Sequence, residues 1–141
     1  MTASGIDYTL RPIGVIRSGL TERGAAPRQG DEGAPEAVIE YDRAVATGFA
    51  DLAPGADVIV LTWLHRADRD VLRVRPRDDP RNPETGVFST RSPDRPNPVG
   101  LHLATVTAVG PERITVRPME AIDGTPVIDV KPVLRAGDRR Y

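Results

Sequence analysis

Prolines and glycines recur so often in this chain that few stretches between them could hold a helix of several turns. Among 141 residues there are 14 Pro and 13 Gly. Proline removes a backbone donor and clashes with the preceding helical turn, and glycine makes ordering entropically costly. A chain punctuated in this way is built from short elements joined by turns.

Between the breaks the composition is that of strands, rich in branched and aromatic side chains. TLRPIGVIRS at 9–18 reads as a first strand interrupted at Pro12, AVIEY at 37–41 as a second, and DVIVLTWLH at 57–65 as a buried one. RDVLRVRP at 69–76 and the stretch from Phe88 to Arg91 after Gly86 are further strands. VGLHLATVTAVG at 99–110 and RITVRPME at 113–120 pair around Gly110 and Pro111, and IDGTPVIDVKPV at 122–133 puts an Asp-Gly turn before a last strand. The helix candidate is DRAVATGFADL at 42–52, with Asp42 as its N-cap. Long polar loops cover 19–35 and 77–86. The expected fold is mainly β: a small single-domain antiparallel β-barrel over residues 1–141, with one short helix and long loops.

Composition removes several function classes. With no cysteine there are no disulfides, thiol nucleophiles or Cys-ligated metals. Two histidines without an HExxH pattern predict no metal site and make His102 a satisfied structural histidine. There is no GxGxxG, P-loop or GxSxG, which disfavours Rossmann, P-loop and α/β-hydrolase enzymes. The start MTASGIDYTL is not a signal peptide, apolar runs are as short as VIVL at 58–61, and a cytoplasmic protein with no membrane association is expected. A formal charge of -1 lacks the footprint of a general nucleic-acid binder, so RNA contact needs a local arginine patch or an assembled oligomer.

Two clusters carry candidate chemistry. In GVFSTRSPDRPNPVG at 86–100, Pro93, Pro96 and Pro98 force extended geometry and stiffen a loop that holds Arg91, Arg95 and Asn97. Guanidinium groups there suit carboxylates or phosphates, while solvated arginines on a rigid turn are the plainer alternative. Asp129 and Lys131, the only lysine, lie two apart on a strand and share a face, as an exposed ion pair or as a functional one.

PIGVIRS at 12–18, PRQ at 27–29, LHR at 64–66, GVFSTRSPDRPNPVG and DGTPVIDVKP at 123–132 occur in the order of the TrmO family, also called YaeB or TsaA-like, which this chain resembles over nearly its whole length. The resemblance implies a non-Rossmann β-barrel methyltransferase that uses S-adenosylmethionine, works as a homodimer with cofactor near the subunit junction, and methylates N6 of threonylcarbamoyladenosine at tRNA position 37. By motif, Gln29, Gly30, His65, Arg66, Arg91 and Leu101 correspond to cofactor contacts. The stretch holding Met119, Glu120, Ala121 and Asp123 completes the pocket, and Phe88 packs on a ring of the cofactor. Arg95 and Asn97 are assigned to the acceptor substrate, and Asp129 and Lys131 to catalysis.

The chain departs from that pattern in two places. It stops at Tyr141, without the C-terminal extension domain of longer members, and it has Val133 where many relatives carry an aromatic after KP. These departures, with the neutral charge, keep two other readings open: a methyltransferase of the same fold acting on a small metabolite or natural-product intermediate, and a silent barrel that binds cofactor or RNA.

Overall fold

The computed structural model describes residues 5–21 and 34–134. Its strands are β1 (Gly14–Arg17), β2 (Ala37–Glu40), β3 (Asp57–Trp63), β4 (Arg73–Val74), β5 (Thr85–Gly86), β6 (Val99–Gly110), β7 (Arg113–Arg117) and β8 (Pro126–Pro132). All pairings are antiparallel, in the order β1-β2-β7-β6-β3-β8, and β1 also pairs with β8, so the ring closes as a barrel. The mainly β expectation with one short helix holds.

Period-two alternation decides what fills the interior. From β3 the inward side chains are Val58, Val60 and Thr62, and from β6 Gly100, His102, Ala104 and Val106. Ile16, Ile39, Ile114, Val116 and Val127 join them in a core that excludes water. A barrel of this size is filled by side chains and leaves no channel. Between Leu61 and Thr62 the β3–β8 register shifts: Leu61 faces Asp129, whereas Thr62 faces Val127. The residue skipped is Ile128, and the shift lets Val127 and Val130 pack on the core while Asp129 and Lys131 stand outside.

Several sequence expectations are corrected. The 42–52 helix shrinks to a 3-10 turn at Arg43–Val45 and a four-residue α1 (Ala46–Phe49). Asp42 does cap it, its Oδ1 accepting from the Ala44 N–H at 2.8 Å. Only Arg73 and Val74 of 69–76 form a strand, in a two-stranded ribbon with β5 outside the barrel. The stretch from Phe88 to Arg91 is not a strand; Val87–Ser89 form a 3-10 turn, because the proline-rich segment beyond it has few donors for a ladder. The 113–120 strand ends at Arg117, where Pro118 has no N–H to continue it. At the Asp123-Gly124 turn, Thr125 N–H donates to Ile122 O at 3.2 Å and Gly124 takes φ +85°, a conformation that side chains disfavour. No helix among the described residues is long and apolar enough to cross a membrane.

Candidate functional site

One end of the barrel gathers segments far apart in sequence. Leu64 N–H, just past β3, donates to Pro98 O at 2.8 Å and so ties the β3 exit to the β6 entrance. The exit of β1 is held by the 122–125 turn: Ser18 N–H donates to Asp123 Oδ1 at 3.0 Å, and Asp123 N–H to Leu20 O at 2.6 Å. Arg66 Nη1 reaches Thr21 O at 3.2 Å, which links 64–66 to the start of the long loop. His65 and Arg66 are exposed at this mouth. The expected contacts Gln29 and Gly30 lie outside the described residues.

Inside the mouth the apolar core is interrupted by a polar triad. His102 is 5% exposed; its Nε2 lies 2.7 Å from Thr62 Oγ1 and its Nδ1 2.5 Å from Glu120 Oε1. With Nδ1–H donating to the carboxylate, Nε2 accepts the threonine proton, and both ring nitrogens are satisfied. Gly100 makes room: a Cβ there would stand 2.4 Å from Thr62 Oγ1 and 2.8 Å from His102 Nε2.

The proline-rich loop is held by arginines. Arg95 Nη2 donates to Val87 O and, at 2.6 Å, to Thr90 O; its Nε donates to Ser92 O at 2.9 Å. Its backbone N–H donates to Asp68 O, and Asp94 Oδ1 accepts from Asp68 N–H at 2.8 Å. Arg69 lies over Trp63 and donates to Pro96 O at 2.6 Å and to Asn97 Oδ1 at 3.0 Å. Prolines supply no N–H for the surrounding carbonyls, and these two guanidinium groups take that place.

Both residues assigned to the acceptor have partners within the protein. Arg95 is committed to loop carbonyls, and Asn97, although exposed, is engaged by Arg69. The same loop projects Phe88, 77% exposed, and the exposed Arg91.

Within the 119–123 stretch expected to complete the pocket, burial differs from residue to residue. Met119 is fully buried in the core and Ala121 nearly so. Of the 119–123 stretch, Glu120 and Asp123 have partly accessible side chains.

Asp129 and Lys131 are not inside the mouth. They form an ion pair of 3.2 Å on the outer wall, with side chains 47% and 60% exposed. Asp129 lies opposite Leu61, which lies opposite Leu101, and Lys131 lies opposite Ile59, which lies opposite Leu103. Leu101 and Leu103 are 44% and 62% exposed, so the wall beside the pair is apolar and open.

Thr62, His102, Gly100 and Arg69 were missed as members of the site. Position Gly100 inside the quoted motif is the signal that pointed nearest to them. Among the described residues no group of three or more His, Asp or Glu is arranged to hold a metal ion.

The family model described as the tRNA-methyltransferase O N-terminal domain matches residues 15–139. A "Probable S-adenosyl-L-methionine-binding protein" of Methanothermobacter thermautotrophicus is 43% identical over 129 residues, covering 92% of each chain. An S-adenosyl-L-methionine-binding protein of Archaeoglobus fulgidus is 42% identical over 122 residues, covering 86% of each. A crystal structure of TrmO from Pseudomonas aeruginosa superposes with a TM-score of 0.75 at 27% identity, covering 98% of this chain. This chain spans 60% of that longer one.

Proposed function

We propose, since this chain belongs to the tRNA-methyltransferase O N-terminal domain family, that it is an S-adenosylmethionine-dependent methyltransferase whose cofactor sits at the barrel mouth. The observation that carries the placement is convergence. Arg66, after β3, is anchored to Thr21, and Glu120 and Asp123, in the crossing from β7 to β8, are anchored to His102 and Ser18, all at one end of the barrel.

The residues present fit the cofactor's chemistry. An exposed phenylalanine at Phe88 offers a stacking face for adenine, Arg91 offers a fork for a carboxylate, and the half-enclosed Glu120 offers negative charge for a cation. When bound, S-adenosylmethionine supplies an electrophilic methyl group. His65, Arg66, Leu101 and Asp123, with Gln29 and Gly30 assigned by family motif, would hold and orient it, and catalysis is largely the positioning of a nucleophile in line.

The acceptor in this reading is N6 of threonylcarbamoyladenosine at tRNA position 37, in the cytoplasm. Asp129 accepts or orients the N6 proton and Lys131 stabilises nearby negative charge. Asp129 stands across Leu61 from Leu101, roughly two strand spacings or about 10 Å away. A second copy packed on the Ile59–Leu61–Leu101–Leu103 wall brings the pair close to a cofactor at the subunit junction. A homodimer through that wall is therefore part of the proposal, and Leu103→Asp is expected to yield monomers by light scattering, whereas an unchanged mass refutes this interface.

The formal charge of -1 favours a small-molecule acceptor as the second reading, because tRNA binding draws on clustered positive charge. The test is incubation with labelled S-adenosylmethionine and either unmodified or threonylcarbamoylated tRNA. Methyl transfer to the modified tRNA alone is expected. Transfer to neither, with cofactor bound, moves the assignment to a small molecule; failure to bind cofactor overturns the enzyme reading.

A further inference from the structure

A carboxylate, an imidazole and a hydroxyl in series inside an apolar barrel cost stability relative to packed hydrocarbon. The interior positions around them are Val58, Val60, Ala104, Val106 and Val127. Among the described residues no buried side-chain polar atom lacks a partner, so the triad is complete and does not hold an unmatched group. Each member also has a definite place: Thr62 ends the buried run of β3, His102 lies one step along β6, and Glu120 belongs to the crossing from β7 to β8. The imidazole thus locks the 119–123 segment against the two strands that lead to His65, Arg66 and Leu101.

The outer end of the series is Glu120, whose side chain is 14% exposed against 5% for His102. Its Oε1 is engaged by His102, and the carboxylate as a whole reaches the mouth, partly screened from water. Charges in such surroundings interact more strongly than those on an open surface, where Asp129 is already neutralised by Lys131. Asp123, the other acidic side chain of this crossing, accepts from Ser18 N–H.

We propose that His102 is a positioning residue that fixes Glu120 at the barrel mouth as the counter-charge for the cofactor's sulfonium, so that the site prefers the methyl donor to its demethylated thioether. This rests on the cofactor placement proposed above. When the methyl group leaves for the acceptor, sulfur keeps the electron pair of the broken S–C bond and becomes a neutral thioether. The attraction to Glu120 then disappears, which promotes release of the product and rebinding of the donor. Thr62 acts one step back, holding the imidazole so that Nδ1–H points at the carboxylate.

The two ring nitrogens can be tested apart. In His102→Gln the amide takes the place of Nε2 and keeps Thr62 but loses Glu120; in His102→Asn it takes the place of Nδ1 and keeps Glu120 but loses Thr62. Glu120→Gln is close to isosteric and removes the charge alone. Affinities of the purified full chain for S-adenosylmethionine, for the cationic amine analogue sinefungin and for S-adenosylhomocysteine are measured by calorimetry, with thermal unfolding alongside.

The wild type is expected to bind both cationic ligands on the order of tenfold more tightly than the thioether. All three ligands carry the same α-amino group, so the ratio isolates charge at the sulfur position. Glu120→Gln and His102→Gln should bring the ratio near one, while His102→Asn retains most of it. A ratio unchanged in Glu120→Gln overturns the proposal, as does an equal effect of the two His102 variants that tracks their unfolding temperatures. If the wild type binds none of the three ligands, the cofactor reading fails as well.

Discussion

Replacing Arg95 by methionine removes the guanidinium and keeps most of the stem. Thr90 O and Ser92 O then lose the Arg95 donor, and Val87 O keeps only the Thr90 N–H and hydroxyl, within a segment where Pro93, Pro96 and Pro98 have no N–H to offer in exchange. Hydrogen bonds to a charged group contribute about 1.5–3 kcal/mol each, and water replaces part of that at a half-buried loop, so we expect the loop to lose about 3 kcal/mol of local stability. The barrel should not follow, because β3, β6 and β8 draw on their own ladders and on the core. Native-state hydrogen exchange reads the two separately. The amides of Thr90, donating to Val87 O, and of Arg95, donating to Asp68 O, should exchange about a hundredfold faster in Arg95→Met, with β3 and β6 amides unchanged. Arg95→Lys keeps the charge but offers a point donor in place of a fork and should fall between. If exchange at both amides stays at the wild-type rate while acceptor KM rises, Arg95 is a substrate contact and the reasoning is wrong.

Other perturbations separate packing from chemistry. Gly100→Ala forces a methyl against Thr62 Oγ1 at 2.4 Å and should cost about 1–3 kcal/mol in urea unfolding; a neutral result would mean that the Thr62–His102 pair yields freely. Met119→Ala empties a fully buried site and should lose about 2–5 kcal/mol of stability while folded protein keeps its cofactor affinity; a loss of affinity without a loss of stability would restore Met119 as a contact. At the exposed loop, the Arg81 guanidinium and then its backbone N–H hold the Asp79 carboxyl below the ordinary aspartate value. The small stabilisation this gives is present above the unfolded aspartate pKa and fades as pH falls through the lowered folded value. In an NMR titration, Arg81→Ala should move the Asp79 midpoint upward; an unmoved midpoint refutes the pairing.

The strands were legible because their information is local. Alternation in VIVLTW and GLHLATV needs only neighbours in sequence, and the prolines and glycines mark where ladders stop. Asp42 as a cap and Gly124 in its turn are local in the same sense, and each is where the sequence placed it. The Asp129–Lys131 pair joins residues two apart and was equally readable; its location on the outer wall was not, since that depends on a register shift against β3.

The same rules failed where the deciding partner is distant. His102 read as a satisfied histidine and is one, but nothing near it in sequence announces that its partners are Thr62, 40 residues away, and Glu120, 18 residues away. That Arg95 would reach three backbone carbonyls was equally hidden, since the closing of the loop brings them to it. Met119 and Glu120 were assigned to the pocket together, by family motif, and only the fold buries the first and leaves the second partly accessible. Short-range pattern thus determined a barrel of antiparallel strands and the motifs that mark its family. Which polar side chains stand accessible at the mouth, and which hold the fold, was decided only when loops distant in sequence closed over the same end of the sheet.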